Sequence, residues 1–162
     1  MSYYIGIDPS TAKTGYAVID KKGELVSKGV FSMLADDPFS FQALYTSLVD
    51  LLETYKPESI MCEQQFGGPN VMTTIKLIRP TGVILAVAGL HEGVPFEFKM
   101  PKSWRKTYHT GTEFEKMYSK RDSFKVTKER YPGSVTTFNK DNDISDAIGI
   151  AYACWKLSQE EG

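Results

Sequence analysis

The chain is 162 residues long, 41% hydrophobic and 24% charged, which suits one globular domain with a real core and argues against a disordered chain or a small disulfide-stapled scaffold. Its two cysteines, Cys62 and Cys154, form no CxxC pair and read as buried free thiols in a reducing setting rather than as a disulfide or zinc site. A net charge of −1 argues against a uniformly basic nucleic-acid binder, yet ten Lys/Arg face only four acids between Lys99 and Arg130, leaving that segment at +6 and the remainder at −7.

In chain order, Tyr3 to Asp8 reads as a first strand, Tyr16 to Asp20 as a second and Leu25 to Ser32 as a third. The small-residue turn from Pro9 to Gly15 joins the first two as an antiparallel pair, and Lys21-Lys22-Gly23 is a hairpin signal between the next two. The period then changes. Phe41, Leu44, Leu48, Leu51, Leu52 and Tyr55 recur at helical spacing until Pro57 stops them. Ser59 to Glu63 is a short apolar fourth strand, and a strand–helix–strand passage implies a parallel crossover.

“FGGPN”, Phe66 to Asn70, reads as a loop, and Val71 to Leu90 as a helix kinked near Pro80. Pro95 to Lys99 is a fifth strand, Lys102 to Gly111 an irregular loop, and Lys116 to Arg130 a helix. Ile144 to Leu157 is the last helix, with Ile144, Ala147, Ile148, Ala151 and Trp155 along one face. The order implies a mixed sheet with helices on its faces. No repeat or linker divides the chain, so residues 1–162 are expected to form a single domain. No basic-then-apolar leader precedes Tyr3, and the longest unbroken apolar stretch before a glycine, Val83 to Ala88, is far short of a membrane span. The expectation is a cytoplasmic protein with no membrane contact.

Three places put acids where a core would not want them. Asp8 ends the first strand, Glu63 ends the fourth, and Asp143 and Asp146 lie three apart at the start of the last helix. If the two strands are parallel neighbours, both acids emerge at the carboxyl edge of the sheet, where ligand sites of open α/β sheets lie. Four converging carboxylates repel one another, and a hard divalent cation such as Mg²⁺ removes the conflict. Two such ions can activate a water and stabilise the leaving oxygen in phosphodiester cleavage. Each acid also has a plain reading. Asp8 can start a turn before Pro9, Glu63 can be a strand-end charge, and Asp143 with Asp146 can cap the last helix.

Together “IGIDPSTAKTGYAVI”, “MCEQQF”, “NVMTTIKLIRPTGVI” and “DISDAIGIAYA” resemble, in that order, the motifs of RuvC-type Holliday junction resolvases, which have the RNase H-like, retroviral-integrase fold. The resemblance runs from about Tyr3 to Trp155. It implies an α/β fold with a five-stranded mixed sheet of order 3-2-1-4-5, strand 2 antiparallel, flanked by helices. It implies that Asp8, Glu63, Asp143 and Asp146 are the catalytic and metal-binding residues, holding two Mg²⁺ ions for which Mn²⁺ can substitute. Asp141 is a near neighbour outside the motif. The resemblance also implies a DNA-probing aromatic at Phe66, whose plain reading is a core residue closing its loop.

The resemblance further implies phosphate contacts after the fifth strand and at the start of the next helix, which fall nearest Arg105 and Lys120, with Lys102, Lys106, Arg121 and Lys125 as competitors. Interleaved Trp104, Tyr108 and Tyr118 suit stacking on bases. His109, a lone histidine in a polar segment, reads as solvated. The implied activity is endonucleolytic cleavage of Holliday junctions and other branched DNA, flaps and forks included, by a homodimer, leaving 5′-phosphate ends.

The chain departs from the bacterial pattern at Ser10, where relatives carry Gly, and at Pro80 within the helix resembling the family's dimerisation helix. Short, divergent chains of this kind resemble phage-encoded members. The alternatives are a non-catalytic branched-DNA binding module, an RNA-processing nuclease on the same fold, and a phosphotransferase lobe of the actin–hexokinase type. The last also opens on a strand–acid–turn–strand element but needs two lobes.

Overall fold

The computed structural model describes residues 1–64 and 69–161. It contains β1 (Tyr3–Pro9), β2 (Lys13–Asp20), β3 (Leu25–Ser32), α1 (Pro38–Tyr55), β4 (Ser59–Glu63), α2 (Val71–Gly89), β5 (Phe96–Lys99), α3 (Pro101–His109), α4 (Lys120–Arg130) and α5 (Phe138–Glu161). The five strands form one sheet in the order β3-β2-β1-β4-β5. Strand β2 is antiparallel to both neighbours, while β1, β4 and β5 run parallel. This is the mixed α/β sheet expected from the strand–helix alternation and from the motif resemblance.

The strands' two-residue period sorts side chains onto two cores. Ile5, Ile7, Val18, Ile60 and Cys62 face Leu44, Leu48 and Leu52 of α1 and Ile84 and Val87 of α2. Tyr4, Ala17, Ile19 and Met61 face the opposite layer, built from α3, α4 and α5. Helix α5 is the spine of that second layer, and residues 145–151 along it are all buried. It approaches so closely that a Cβ on Gly6 would meet the amide nitrogen of Ala151 and the carbonyl oxygen of Ala147. A Cβ on Gly15 would lie 2.5 Å from the carbonyl oxygen of Asp143. Two strand glycines, one on β1 and one on β2, therefore set the height of the helix above the sheet.

Several expectations change. Lys102 to Gly111 is not an irregular loop. Pro101 starts a helix there, its ring pre-set for the first turn, and Trp104 and Tyr108 recur four apart on its buried side. Both aromatics are fully buried and so form core rather than a base-stacking platform. His109 is fully buried too. Its Nδ1 bonds the carbonyl of Met117 at 2.7 Å and its Nε2 the hydroxyl of Ser123 at 2.8 Å, so it ties α3 to α4 instead of facing water.

Helix α4 starts at Lys120 rather than Lys116, behind a capping box between Ser119 and Asp122. Helix α5 starts six residues before Ile144, so Asp143 and Asp146 lie inside it and do not cap it. Asp141 takes a cap-like role, accepting from the amide and hydroxyl of Thr136 at 2.6 and 2.7 Å.

Helix α2 lies where a helix was expected, with Pro80 inside it. As one continuous helix it is long and apolar enough to cross a membrane by length and composition, although its unbroken apolar runs are short. Most of it is exposed. Val71, Ile75, Ile78 and Leu85 stand out at spacings of three, four and seven, making one apolar stripe.

Gly6→Ala pushes a methyl group into the α5 backbone, which cannot yield as a side chain can. The expected cost is about 1–3 kcal/mol, read as a lowered urea midpoint with an unchanged m-value. A variant as stable as the parent would show that α5 is free to lift from the sheet.

Candidate metal centre

Strand alternation places Asp8 on the α5 side of β1, in series with Tyr4 and Gly6. It places Glu63 on the same side of β4, in series with Met61. Gly6 pairs with Met61 and Ile7 with Cys62, so the parallel register carries Asp8 and Glu63 out level with each other at the carboxyl edge. Helix α5 crosses above them, and the contact at Gly15 holds the Asp143 backbone against β2. Asp146 follows three residues on and is buried, as is Asp8.

Two cations meet these acids. Lys120, the first residue of α4, brings Nζ to 3.2 Å from Oδ2 of Asp146 and 3.9 Å from Oδ1 of Asp143. Arg105 on α3 brings Nη2 to 3.6 Å from the same Oδ2 of Asp146. Glu63 is met by a neutral donor: the indole nitrogen Nε1 of Trp104 donates to its Oε2 at 2.8 Å.

The electrostatics follow from burial and crowding. Burial, then the charges of Glu63 and Asp146, push Asp8 well above the usual carboxylate range. Burial pushes Asp146 up to about 6, against the opposing pull of Lys120 and Arg105. For Lys120, burial works against the charged form, but Asp146 and Asp8 outweigh it and hold the ammonium on. The Cys62 thiol is raised by burial and by the same Asp8 and Glu63 charges.

Among the described residues, no three His, Cys, Asp or Glu side chains stand as a ready-made metal cage. Two observations nevertheless fit a hard divalent cation. The donors are carboxylate oxygens, and Oδ1 of Asp146 is buried with no hydrogen-bond partner among the described residues. A cation here would satisfy that oxygen and relieve the repulsion that raises Asp8.

Of the expected phosphate contacts, Arg105 and Lys120 stand at the carboxylates. Lys102 adjoins them, lining a cleft of about 460 Å³ with Met100, Pro101, Arg105 and Tyr118. Lys106, Arg121 and Lys125 are exposed along α3 and α4, with Arg121 stacked 4.2 Å over the Phe138 ring and Lys125 5.8 Å from the Phe114 ring. Phe66 lies outside the described residues. The contact that sequence reasoning missed is Trp104 to Glu63. Its signal was present, because Pro101 opens a helix and Trp104 and Tyr108 are spaced for its buried side.

A family model described as crossover junction endodeoxyribonuclease RuvC matches residues 4–154. A protein of that description from Carboxydothermus hydrogenoformans is 31% identical over 160 residues, covering 92% of each chain. One from Brevibacillus brevis is 28% identical over 154 residues, covering 91% of this chain and 87% of its own. Among solved structures, T. thermophilus RuvC in complex with Holliday junction substrate shares the fold, with a TM-score of 0.77 at 17% identity over 98% of this chain and 96% of the other.

Because Asp146 holds its proton more tightly folded than unfolded, the folded state binds more protons between about pH 4 and 6. Its contribution to stability is therefore present below that window and lost as pH rises through it. In EDTA, Asp146→Asn is expected to gain on the parent as pH goes from 5 to 8, by on the order of 5 °C in melting temperature. A constant difference between the two melting curves across that range would contradict the buried-carboxylate assignment.

Proposed function

Since this chain belongs to the RuvC family of crossover junction endodeoxyribonucleases, we propose that its four carboxylates form the cleavage centre of a Mg²⁺-dependent Holliday junction resolvase. The enzyme is a nuclease acting on branched DNA, and family membership removes the phosphotransferase reading. The observation that carries the site assignment is the convergence of Asp8, Glu63, Asp143 and Asp146 at one sheet edge, with a buried oxygen of Asp146 unsatisfied.

In this reading Asp8, Glu63, Asp143 and Asp146 hold two Mg²⁺ ions, which Mn²⁺ can replace. Bound there, the ions supply positive charge and an activated water for phosphodiester hydrolysis, giving 5′-phosphate ends. The chain's own residues do the rest. Arg105 and Lys120 bring fixed positive charge to the edge where the scissile phosphate must lie, and draw the cleaved strand over the acids. Lys102, Lys106, Arg121 and Lys125 hold flanking backbone, and Phe66 probes the branch point. Tight packing of α5 keeps Asp143 and Asp146 at a set height over β1, so positioning is complete before DNA arrives.

Residues 1–162 act as a single nuclease domain, and two copies pair through α2. Its stripe of Val71, Ile75, Ile78 and Leu85 is the apolar face such a dimer needs, and a two-fold axis gives the paired nicks a four-way junction requires. A DNA substrate also places the enzyme in a compartment that holds DNA, which fits free, buried Cys62 and Cys154.

The test is cleavage of labelled four-way junction, flap, fork and linear duplex, with and without Mg²⁺. Branched substrates are expected to be cut only with the ion. Asp8→Asn is expected to lose about 10³-fold or more in rate while still binding junctions; equal cutting by this variant would remove Asp8 from the site. Ile78→Glu with Leu85→Glu is expected to give a monomer on size exclusion that uncouples the two nicks. A dimer that survives both charges would place the interface elsewhere.

A further inference from the structure

The indole of Trp104 is fully buried, and its only polar atom needs an acceptor. The acceptor it takes is a carboxylate at the nuclease centre: Nε1 lies 2.8 Å from Oε2 of Glu63. We propose that Trp104 is a positioning residue for Glu63, holding one carboxylate oxygen so that the other, Oε1, is committed to the metal ion. This rests on the metal reading above.

The placement of the ring is over-determined. Gly149 of α5 has no side chain, and a Cβ there would run into the six-membered ring of Trp104 and the ring of Tyr108. Tyr108 lies one turn along α3 at 6.3 Å between ring centroids. The Arg105 guanidinium carbon sits 4.9 Å from the Trp104 ring centroid, and its Nη2 reaches Asp146. The indole is thus wedged between the end of β4 and the helix that carries Asp146, three residues before Gly149. One rigid ring spans the gap between Glu63 and helix α5.

The chemistry of the donor suits the task. A glutamate has three rotatable bonds, and ordering it at the moment of ion binding costs entropy. A hydrogen bond from a rigid, buried donor removes that cost beforehand. Indole N–H donates only, carries no charge and does not titrate in the working pH range. It orients Glu63 without competing with a cation, as a lysine or arginine in its place would. Phenylalanine removes the N–H together with part of the ring's volume, so the variant's fold and stability are read beside its metal binding to separate positioning from core filling.

The experiment measures Mn²⁺ binding by calorimetry to the full-length parent, Trp104→Phe and Trp155→Phe, with no DNA present. Trp155 is the chain's other tryptophan and bonds the Lys21 carbonyl in the distal hairpin, so Trp155→Phe leaves Trp104 as the sole reporter. Trp104→Phe, folded by circular dichroism, is expected to bind Mn²⁺ about 10-fold more weakly with junction binding in EDTA unchanged. In Trp155→Phe, Mn²⁺ is expected to quench Trp104 emission at the calorimetric midpoint, and adding Glu63→Gln is expected to abolish that coupling. An unchanged Mn²⁺ midpoint in folded Trp104→Phe would overturn the proposal. If Trp104→Phe does not fold, emission in Trp155→Phe that ignores saturating Mn²⁺ would overturn it instead. A parent protein that binds no Mn²⁺ would sink the metal reading itself, and so tells the two failures apart.

Discussion

Backbone-to-backbone approach of α5 onto β1 and β2 is the constraint on which the site depends. Gly6 and Gly15 permit it, because any larger residue at either position meets main-chain atoms of the helix. The consequence is chemical as well as structural. A helix held off the sheet by side chains would carry Asp143 and Asp146 away from Asp8. Seated directly on the strands, it brings three acids from two elements to one edge, and the register between β1 and β4 adds the fourth.

That gathering carries an electrostatic cost, which the neighbouring elements offset. Asp8 and Asp146 are buried, and burial dominates the rise of both. Lys120 and Arg105 supply the counter-charge from α4 and α3, each toward the same oxygen of Asp146. The other oxygen of Asp146 has no partner among the described residues. A chain selected only for stability would not keep such a cluster, since apolar residues of like volume serve a core better. The imbalance is one that the proposed cation would relieve.

The layers that hold the cations are themselves fastened by buried polar contacts. Tyr108, Thr127 and Ser145 form a chain of hydroxyl hydrogen bonds at 2.8 Å, linking α3, α4 and α5. His109 adds a second tie through Ser123 and the Met117 carbonyl. Burial lowers the His109 pKa, so the ring serves as a neutral donor–acceptor bridge. These ties fix where α4 begins, and hence where Lys120 stands. The polar residues between Lys99 and Arg130 thus divide by environment. Some are exposed cations, and others are internal fasteners that composition alone cannot distinguish.

Much of the fold was legible along the chain, because periodicity is a local property. The short apolar runs in “YIGID” and “SIMCE”, each ending in an acid, the helical spacing from Phe41 to Tyr55 and the stop at Pro57 each report their own backbone. The acids ending two strands, and the pair three apart near the C-terminus, marked a candidate site for the same reason. Other features needed the packed structure. Trp104 and Tyr108 looked like stacking groups because a short, lysine-rich segment hides its buried side until α5 covers it. Asp143 looked like a cap because nothing nearby in sequence shows that α5 begins at Phe138, whereas Asp141 meets Thr136 only in the folded turn. By itself, the sequence determined the elements, their order and which residues could bear charge at a strand end. Tertiary structure decided which charges meet, because that depends on helix height and strand register, quantities set by contacts between residues far apart in the chain.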